Sequence, residues 1–576
     1  MTAEWTVRAL DGDVPRELLG QRFPATVPGC VTTDLLADGV IVDPYVDENE
    51  ASCAWIGRTR WEFATEFELV PSDDDQHERI DLVCLGLDTV AMIAVNGQIL
   101  AETCNMHRSY RFDVGHLVSP GRNSLTVVFD APVSYAERAS KEIGPRPHVN
   151  LHPFNAVRKM ASSFGWDWGP DLACAGIWRP IGIERWHTAR IGSVRPAVEV
   201  DFDEEAGRRG AERAREGRVV AHVDVERASK DPLVVTARIG DVAASVELAP
   251  DATCATVQLT VPDVAVWWPV GYGAQPLYEL DVDVSRPGAA VVDRWHGRVG
   301  FRTVELDTSI DTIGHRFAIA VNGVEIAVRG ANWIPDDCFV SRVDRARYAE
   351  RLTDAVQANM NLLRVWGGGI YESDDFYDLA DELGLLVWQD FLFACASYAE
   401  EEPLRSEIVA EATEAISRLA AHPSLVLWNG CNENLWGHED WGWKQSLGDQ
   451  SWGAGYYFEI LPEIVGRLDP SRPYSAGSPW SFSHDIHPND PDNGTMHVWD
   501  VWNQRDYSAY REYAPRFVSE FGFQGPPAWS TLVRAVHDQP LAVDGAGLRS
   551  HQKAEDGMAK LARGLAPHFP LPRSME

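Results

Sequence analysis

Apolar and polar positions follow one pattern up to about residue 300 and another after it. In residues 1–186, short segments such as 61–69 alternate apolar and polar side chains between clusters of Gly, Pro, Asn and Asp, and Asn96-Gly97 is a hairpin-turn signal. Residues 187–300 continue the alternation at a spacing typical of an immunoglobulin-like sandwich. Since strict alternation suits strands with one buried face, these blocks predict two successive β-sandwich domains.

From residue 301 onward, apolar runs alternate with segments of helical periodicity. Strand-like segments are predicted at 324–329, 362–366, 385–391, 425–429, 474–476, 495–499 and 517–520. Helices are predicted at 345–360, 373–383, 407–421 and within 452–468. Such alternation predicts a parallel sheet covered by helices, and its length suits a (β/α)8 barrel. Because the seventh strand is followed by no eighth before Glu576, residues 301–576 predict a barrel lacking its last strand.

Two of the predicted strands lead directly into a lone glutamate. Asn432 and Glu433 follow one apolar run, and Glu520 follows another. Barrel enzymes carry their chemistry at the carboxyl ends of the strands, and cleaving a glycosidic bond requires an acid and a second carboxylate. We therefore predict Glu433 and Glu520 as a catalytic pair. The alternatives are a surface ion pair for each glutamate and a turn-stabilising role for Asn432, which could otherwise donate its amide to a sugar hydroxyl.

The 22 tryptophans add candidates for sugar binding, because flat aromatic faces stack well on sugar rings. Trp366 and Trp499 lie at strand ends, where some tryptophans must instead belong to the core. Trp166, Asp167 and Trp168 lie in a Gly- and Pro-bounded loop at the end of the first sandwich. From the residues alone, a structural corner of the sandwich is the favoured interpretation of this loop.

Charge and cysteine content restrict the partners and the compartment. The net charge of −35 argues against nucleic acid and anionic membranes and favours a neutral small-molecule ligand. No apolar window of about 18 residues is present, and the N-terminus lacks the features of a signal peptide. The nine cysteines are scattered without metal-ligand spacing and are predicted to be reduced. We expect a soluble cytoplasmic protein.

An ordered set of motifs across the chain resembles the β-mannosidase branch of glycoside hydrolase family 2. The matching segments are WDWGP at 166–170, WWPVGYG at 267–273, QPLY at 275–278, GFR at 300–302, RVWGGG at 364–369, WNGCNEN at 428–434 and SEFGFQ at 519–524. The resemblance covers essentially the whole chain. It implies a jelly-roll-like, sugar-binding first sandwich (1–186), an immunoglobulin-like sandwich (187–300) and a catalytic TIM barrel (301–576).

The same resemblance implies retaining hydrolysis of terminal, non-reducing β-D-mannose from β-mannosides and manno-oligosaccharides. Glu433 matches the family's acid/base, Glu520 its nucleophile and Asn432 the residue that contacts the sugar beside the acid/base. Trp166, Asp167 and Trp168 match a loop that reaches over the barrel and holds the terminal sugar. No metal or cofactor is expected.

One departure keeps alternatives open. Family members continue into an eighth barrel strand and further β-domains, whereas this chain is expected to lack that strand. The sequence does not tell whether the chain is a fragment of a longer protein and is active, nor does it give the oligomeric state or the natural aglycone. A sister activity, β-galactosidase or β-glucuronidase, is a second hypothesis, against which the Trp166–Trp168 loop and the 364–369 motif argue. A third is a non-catalytic protein that only binds sugar.

Overall fold

The computed structural model describes residues 4–70, 79–202 and 212–571. Its first region is a β-sandwich built from a six-stranded sheet, ordered β2-β1-β3-β8-β5-β6, and a three-stranded sheet, ordered β7-β4-β9. The elements of this region are β1 (Trp5–Gly12), β2 (Arg22–Ala25), α1 (Val31–Ala37), α2 (Asn49–Ser52), β3 (Thr59–Leu69), β4 (Arg79–Cys84), β5 (Ala91–Val95), β6 (Gln98–Thr103), β7 (Tyr110–Asp113), β8 (Gly121–Phe129), α3 (Pro132–Ile143) and β9 (Ile181–Trp186).

The alternating pattern of the first region produces its core. In β3 every second side chain is buried, and Trp61 and Phe63 face the other sheet. The Phe63 ring meets Phe129 edge-on, with centroids 5.6 Å apart. Asn96 and Gly97 both have positive φ, at 50° and 76°, between β5 and β6, so the predicted hairpin turn is confirmed.

The second region is another pair of antiparallel sheets, ordered β10-β11-β14 and β13-β12-β15-β16. Its strands are β10 (Ala189–Asp201), β11 (Arg213–Arg227), β12 (Leu233–Ile239), β13 (Val242–Leu248), β14 (Cys254–Ala265), β15 (Tyr278–Ser285) and β16 (Val291–Val299). Val219, Val235 and Leu280 are fully buried between the two sheets. This arrangement agrees with the immunoglobulin-like sandwich predicted from the spacing of the strands.

The third region contains parallel strands and helices. A small antiparallel sheet of β17 (Val304–Asp307), β18 (Ala318–Val321) and β19 (Val324–Glu325) precedes them. Five parallel strands then form one sheet in chain order, namely β20 (Gly330–Trp333), β21 (Leu362–Val365), β22 (Leu386–Asp390), β23 (Leu425–Asn429) and β24 (Tyr474–Ser475). A further parallel pair consists of β25 (Met496–Val498) and β26 (Val518–Phe521).

Helices follow most of these parallel strands. They are α4 (Arg345–Gln357), α5 (Asp374–Leu383), α6 (Leu404–Leu419), α7 (Asn434–Asp440), α8 (Trp443–Leu447), α9 (Leu461–Leu468), α10 (Asp500–Asn503), α11 (Trp529–Ala535), α12 (Ala546–His551) and α13 (Gly557–Leu565). Helix α5 begins with two aspartates, whose negative charges are stabilised by the positive end of the helix dipole. It ends at Gly384, which has the left-handed conformation (φ 73°), as the sequence predicted. Among the described residues, no helix combines the length and apolar character needed to span a bilayer.

The prediction of a first parallel strand at 324–329 is wrong. Val324 and Glu325 pair with β18 in an antiparallel hairpin, and the first parallel strand is β20, which pairs with β21. Strand β20 reads Gly-Ala-Asn-Trp, which contains no apolar run. Periodicity therefore selected the neighbouring apolar segment instead.

The first sandwich is fixed to the α/β region by a buried ion pair. Arg158 donates through Nε and Nη2 to Glu411 of α6, at 2.9 and 2.6 Å, and both side chains are almost inaccessible. Asn105 also donates to Glu411, at 3.0 Å. A bidentate pair of this kind fixes orientation, so the loop at 166–170 has a defined position against the parallel strands.

Candidate active site

A pocket of about 1440 Å³ opens where the parallel strands end and the first sandwich meets them. All eight predicted site residues line it, and they are Trp166, Asp167, Trp168, Trp366, Asn432, Glu433, Trp499 and Glu520. The carboxyl ends of β21, β23 and β26 supply its floor, and the loop from the first sandwich supplies part of its rim. The structure therefore brings together residues separated by more than three hundred positions in the chain.

Glu433 is held between two neighbouring segments just beyond β23. Its backbone N–H donates to Ser478 O at 2.8 Å, while the adjacent Asn432 N–H donates to Phe393 O at 2.8 Å. These bonds hold Glu433 at φ 62°, a left-handed conformation that is uncommon for a residue with a Cβ and is often found at functional sites. Its Oε2 accepts a hydrogen bond from Cys395 Sγ at 3.2 Å, so both the backbone and the carboxyl group are fixed.

Glu520 is a buried carboxylate surrounded by donors. Arg364 Nη1 donates to its Oε1 at 2.6 Å, and Trp499 Nε1 donates to its Oε2 at 2.9 Å. Burial acts to raise the pKa of Glu520, but attraction to His497 and Arg364 together with these hydrogen bonds outweighs burial and lowers it. Glu520 is therefore held as the ionised form.

Arg364, on β21, connects the floor of the pocket. Its Nη2 donates to Asp390 Oδ2 and to Asn432 Oδ1, both at 2.7 Å, and its Nη1 donates to Asn332 Oδ1 at 3.0 Å as well as to Glu520. Burial acts to lower the pKa of Arg364, but the charges of Asp390 and Glu520 outweigh it and raise the pKa. A fully buried guanidinium with these partners stays charged and orients the carboxylate beside it.

Asn432 is buried, and both the oxygen and the nitrogen of its amide group have a partner in the protein. Its Oδ1 accepts from Arg364, and its Nδ2 donates to Cys395 Sγ at 3.3 Å. Cys395 thus contacts both Asn432 and Glu433. Burial and the charge of Glu433 raise the pKa of the Cys395 thiol well above its usual value, so it remains a neutral donor.

Trp166, Asp167 and Trp168 form a tight turn on the rim. Trp166 and Gly169 exchange backbone hydrogen bonds of 3.1 and 3.2 Å, which place Asp167 and Trp168 at the tip. The Trp166 and Trp168 rings meet the Trp366 ring edge-on, with centroids 4.9 and 5.6 Å apart. The loop therefore lies against the parallel strands, not only at a corner of the sandwich.

Asp167 differs from the floor carboxylates because it is exposed to the open pocket. The surrounding protein removes part of its hydration, and Glu433 repels its charge, so the pKa of Asp167 is raised. Behind it, Trp366 is buried, and Gly368 is required at its position because a Cβ there would lie 1.8 Å from the Trp366 ring. The rim therefore presents the Asp167 carboxylate between aromatic walls.

Glu433 and Glu520 lie close together, with His497 between them. One carboxylate oxygen of each glutamate and a ring nitrogen of His497 all lie within 4.8 Å of one another. His497 Nδ1 is 2.8 Å from Glu433 Oε1 and 3.3 Å from Glu520 Oε2. This arrangement can provide one carboxyl group to donate a proton and one to attack a carbon centre from nearby.

Within the part of the chain that the structure describes, two groups of side chains have a spacing that would suit a metal ion. They are Glu433, His497 and Glu520 at the base of the pocket, and Asp378, Asp381 and His422 at the opposite ends of the strands. In the first group, the Arg364 guanidinium contacts Glu520 and opposes a further cation. In the second, Arg298 already pairs with Asp378 at 3.0 Å. Since the charges are paired within the protein, we assign an ion to neither group.

Four residues of the site were not predicted from the sequence, namely His497, Arg364, Asp390 and Cys395. His497 and Arg364 lie within predicted strands, and Arg364 opens the 364–369 motif, so strand position was an available signal. Cys395 lies in a loop with φ 46° and carries no signal in the sequence pattern. Their roles depend on contacts between distant strands, which periodicity does not encode.

Comparison with known proteins identifies the family. Residues 5–179 match the family described as Glycosyl hydrolase 2 galactose-binding domain-like, and residues 209–302 match Glycosyl hydrolases family 2. The chain is 31% identical to a beta-mannosidase of Bos taurus, over 100% of this chain and 67% of the relative. It is 34% identical to beta-mannosidase B of Thermothelomyces thermophilus, over 92% of this chain and 62% of the relative.

A solved structure gives the same result. The crystal structure of beta-D-mannosidase from Dictyoglomus thermophilum superposes with a TM-score of 0.90 at 34% identity, covering 99% of this chain and 69% of that one. The chain thus spans about two thirds of the length of the relatives that it matches. Because the bovine relative and the Dictyoglomus structure match nearly the whole of this chain and about two thirds of their own length, the chain belongs to the β-mannosidase branch of glycosyl hydrolase family 2.

Proposed function

We propose that this chain carries the active site of a retaining exo-β-mannosidase, which removes terminal, non-reducing β-D-mannose from β-mannosides. The observation that carries the proposal is the close approach of Glu433 and Glu520, because one carboxylate oxygen of each lies within 4.8 Å of the other at the base of the pocket. Retaining glycosidases keep their two carboxyl groups about 5–5.5 Å apart, whereas inverting enzymes separate them by about 6.5–9.5 Å. The close pair supports direct attack by one carboxylate.

In the first step, Glu520 attacks the anomeric carbon while Glu433 gives its proton to the departing glycosidic oxygen. Glu520 suits the nucleophile because Arg364 and Trp499 hold it ionised and aimed into the pocket. In the second step, Glu433 takes a proton from water, whose oxygen attacks the same carbon and releases Glu520. The sugar therefore leaves with the anomeric configuration that it had in the substrate.

The rim loop would bind the terminal sugar. Asp167 is the exposed carboxylate at the tip of the Trp166–Gly169 turn, in reach of ring hydroxyls, and Trp168, Trp366 and Asn432 would wall the pocket around it. The bovine and Thermothelomyces relatives and the Dictyoglomus structure, which are 31–34% identical to this chain, are all named β-mannosidases, and this favours mannose over galactose or glucuronic acid. The proposed substrate is therefore a neutral β-mannoside, with no nucleic acid or membrane partner.

The finer sequence predictions remain proposals. We propose domains at 1–186, 187–300 and 301–576, which is supported by β9 ending at Trp186, β10 beginning at Ala189 and β16 ending at Val299. We also propose that the seven parallel strands are those of a (β/α)8 barrel without its eighth strand. Asn332 Nδ2 in β20 donates to Ser519 O in β26 at 3.2 Å. The first and the seventh parallel strands therefore lie near each other, which supports a barrel over an open sheet. A cytoplasmic location is proposed from the sequence.

A panel of nitrophenyl glycosides tests the activity. We expect turnover of the β-D-mannoside and little turnover of the β-galactoside, β-glucuronide and α-mannoside. Proton NMR of the first product should show β-mannose before mutarotation. Initial release of α-mannose would contradict retention, and preference for another sugar would contradict the substrate. Mannose binding in calorimetry by a folded sample without turnover would support the sugar-binding alternative instead.

A further inference from the structure

His497 is a rigidly held imidazole buried between Glu433 and Glu520. It lies in β25 with its side chain inaccessible to solvent. Asn489 fixes its backbone on both sides, because His497 N–H donates to Asn489 Oδ1 at 2.7 Å and Asn489 Nδ2 donates to His497 O at 3.0 Å. Trp436 packs edge-on against the ring, with centroids 6.4 Å apart. The ring therefore has one orientation relative to the two glutamates.

A chain of hydroxyl groups fixes which ring nitrogen carries hydrogen. Ser519 Oγ donates to Met496 O at 3.5 Å, since a carbonyl oxygen can only accept. Ser478 Oγ donates to Ser519 Oγ at 2.8 Å, and its own lone pair faces His497 Nε2 at 2.9 Å. With the Ser478 proton directed at Ser519, the Ser478 oxygen is left to accept a hydrogen bond from Nε2. This hydrogen-bond chain assigns the ring hydrogen to Nε2 and leaves Nδ1 facing the glutamates.

Nδ1 of His497 faces both predicted catalytic groups. Nδ1 is 2.8 Å from Glu433 Oε1 and 3.3 Å from Glu520 Oε2. The nearer contact is short enough to share a proton with Glu433. The longer one allows a protonated Nδ1 to attract the Glu520 carboxylate, and attraction to His497 contributes to the lowered pKa of Glu520.

The other charged and titratable groups near the His497 ring interact with Glu433 or Glu520 and not with the ring itself. Arg364 contacts the side of Glu520 away from His497 and is itself paired with Asp390. The Cys395 thiol donates to Glu433 Oε2. Asp167 lies across the pocket and repels Glu433. None of these groups contacts Nδ1, so the proton at Nδ1 is set mainly by the two glutamates.

We propose that His497 is the positioning residue for the catalytic proton: its Nδ1 shares one proton with Glu433 Oε1 and thereby keeps Glu520 the ionised carboxylate. This inference rests on the proposed function. It adds the source of the proton that Glu433 donates. Since Nε2 is bonded to Ser478, the shared proton has two positions, namely the buried Nδ1 of His497 and the carboxyl group of Glu433, which lines the pocket.

The proton balance closes over both steps. In the first, the C1–O bond to the aglycone breaks as the Glu520 O–C1 bond forms, and the shared proton ends on the departing oxygen. Glu433 and His497 are then one proton short. In the second, the water O–C1 bond forms as the Glu520 O–C1 bond breaks, and the proton lost by water returns to the Glu433–His497 pair. No oxidant or further reactant is needed.

The variant His497→Asn tests this role. Asparagine places an amide near the position of Nδ1 but cannot hold a second proton or a positive charge. We expect the bell-shaped pH dependence of kcat/KM on an aryl β-mannoside to become narrower, with each limb moving inward by about one pH unit. One unit is about the smallest pKa shift that a neighbouring charge usually causes. The acid limb should move to higher pH because Glu520 loses an attracting cation. The basic limb should move to lower pH because Glu433 loses its proton partner.

A matched control separates this effect from a structural one. His296→Asn makes the same change on β16 of the second sandwich, where His296 pairs with Glu279 at 2.8 Å, and should leave both limbs in place. A His497→Asn enzyme that loses kcat but keeps both limbs at the wild-type pH would overturn the proposal. Such a result would leave the proposed function intact, so the two failures are distinguishable.

Two further measurements cover a variant that does not fold and a chain that does not turn over. Ser478→Ala removes the hydroxyl that keeps the ring hydrogen of His497 on Nε2. The basic limb of the pH profile should therefore again move to lower pH. An unchanged profile would overturn the proposal. Nitrogen NMR of ¹⁵N-histidine-labelled wild type, with the His497 signal identified by its absence in His497→Asn or its shift in Ser478→Ala, should show hydrogen on Nε2 without any substrate. A neutral ring protonated on Nδ1 would refute it, whether or not β-mannosides are hydrolysed.

Discussion

The floor and the rim of the pocket are built in opposite ways. On the floor, Glu520, Arg364 and Asp390 are buried, and each carboxylate or guanidinium has several partners on neighbouring strands. On the rim, Asp167 and Trp168 are exposed at the tip of a single turn. The floor is thus an interlocked network of charges, whereas the rim is a short loop fixed mainly by its backbone and by ring contacts.

The difference follows from what each part must do with water. A charge removed from water is stable only with close partners, and partners fixed before substrate arrives need no reorganisation during the reaction. A rim group exchanges its hydrogen bonds with water for hydrogen bonds with the sugar, so the net gain in binding free energy is small. We therefore expect changes on the floor to act on the rate of the chemical steps and changes on the rim to act on substrate recognition.

The largest expected effect is the loss of the floor nucleophile. Glu520→Ala should lower kcat for β-mannosides by several powers of ten, because the covalent step is removed. Thermal unfolding should show that the fold persists, and Glu247→Ala, an exposed glutamate on β13, is the matched control with wild-type kinetics expected. Restoration of turnover by azide, with an α-mannosyl azide product, would identify the missing group as the nucleophile. Near wild-type turnover by Glu520→Ala would remove it from the mechanism.

The second effect depends on the leaving group. Glu433→Ala should slow substrates with poor leaving groups by about 10²–10⁴-fold, the usual contribution of general acid catalysis. Activated aryl mannosides, which leave without a proton, should be slowed far less in the first step. Kinetics on a series of aryl mannosides of graded leaving-group acidity checks this. Equal losses across the series would mean that Glu433 is not the acid.

The third effect is the response of the floor to acid. Because the pKa of Glu520 is lowered, its carboxylate should stay ionised below the pH at which an ordinary glutamate is protonated. Activity should persist to that lower pH and then fall about tenfold per pH unit as Glu520 gains a proton. A pH profile of kcat/KM on a sample shown to remain folded measures this. An acid limb at or above the usual glutamate range would contradict a pKa of Glu520 lowered by the charges of His497 and Arg364 and by the hydrogen bonds from Trp499 and Arg364.

The same contrast explains which parts of the site sequence reasoning could find. Glu433 and Glu520 each follow an apolar run, and helix α5 carries its own start and stop signals, so local patterns were sufficient. Arg364 and His497 were missed because their partners lie on strands far away in the chain. Strand β20 was misplaced because Gly-Ala-Asn-Trp lacks an apolar run, although its pairing with β21 makes it a strand. Non-local contacts, not local pattern, decide such positions.

The smallest expected effect lies on the rim, at Asp167. As the exposed carboxylate between Trp166 and Trp168, it can accept hydrogen bonds from the hydroxyls of a terminal sugar. Loss of a charged hydrogen bond costs about 1.5–3 kcal/mol, so Asp167→Ala should lower kcat/KM by roughly ten- to a hundredfold. Thermal stability should be unchanged, because the turn is held by the backbone bonds between Trp166 and Gly169.

Kinetics and melting on the same preparations decide whether Asp167 serves recognition or folding. Asp251→Ala, an exposed aspartate of the second sandwich, is the matched control and should change neither quantity. If Asp167 were a structural cap, its loss would lower the melting temperature while the folded fraction kept its kcat/KM, and the rim would then resemble the floor in depending on fixed partners. If it recognises the sugar, kcat/KM falls for the mannoside at constant melting temperature. Only the second result preserves the distinction between a floor that performs the chemistry and a rim that selects the sugar.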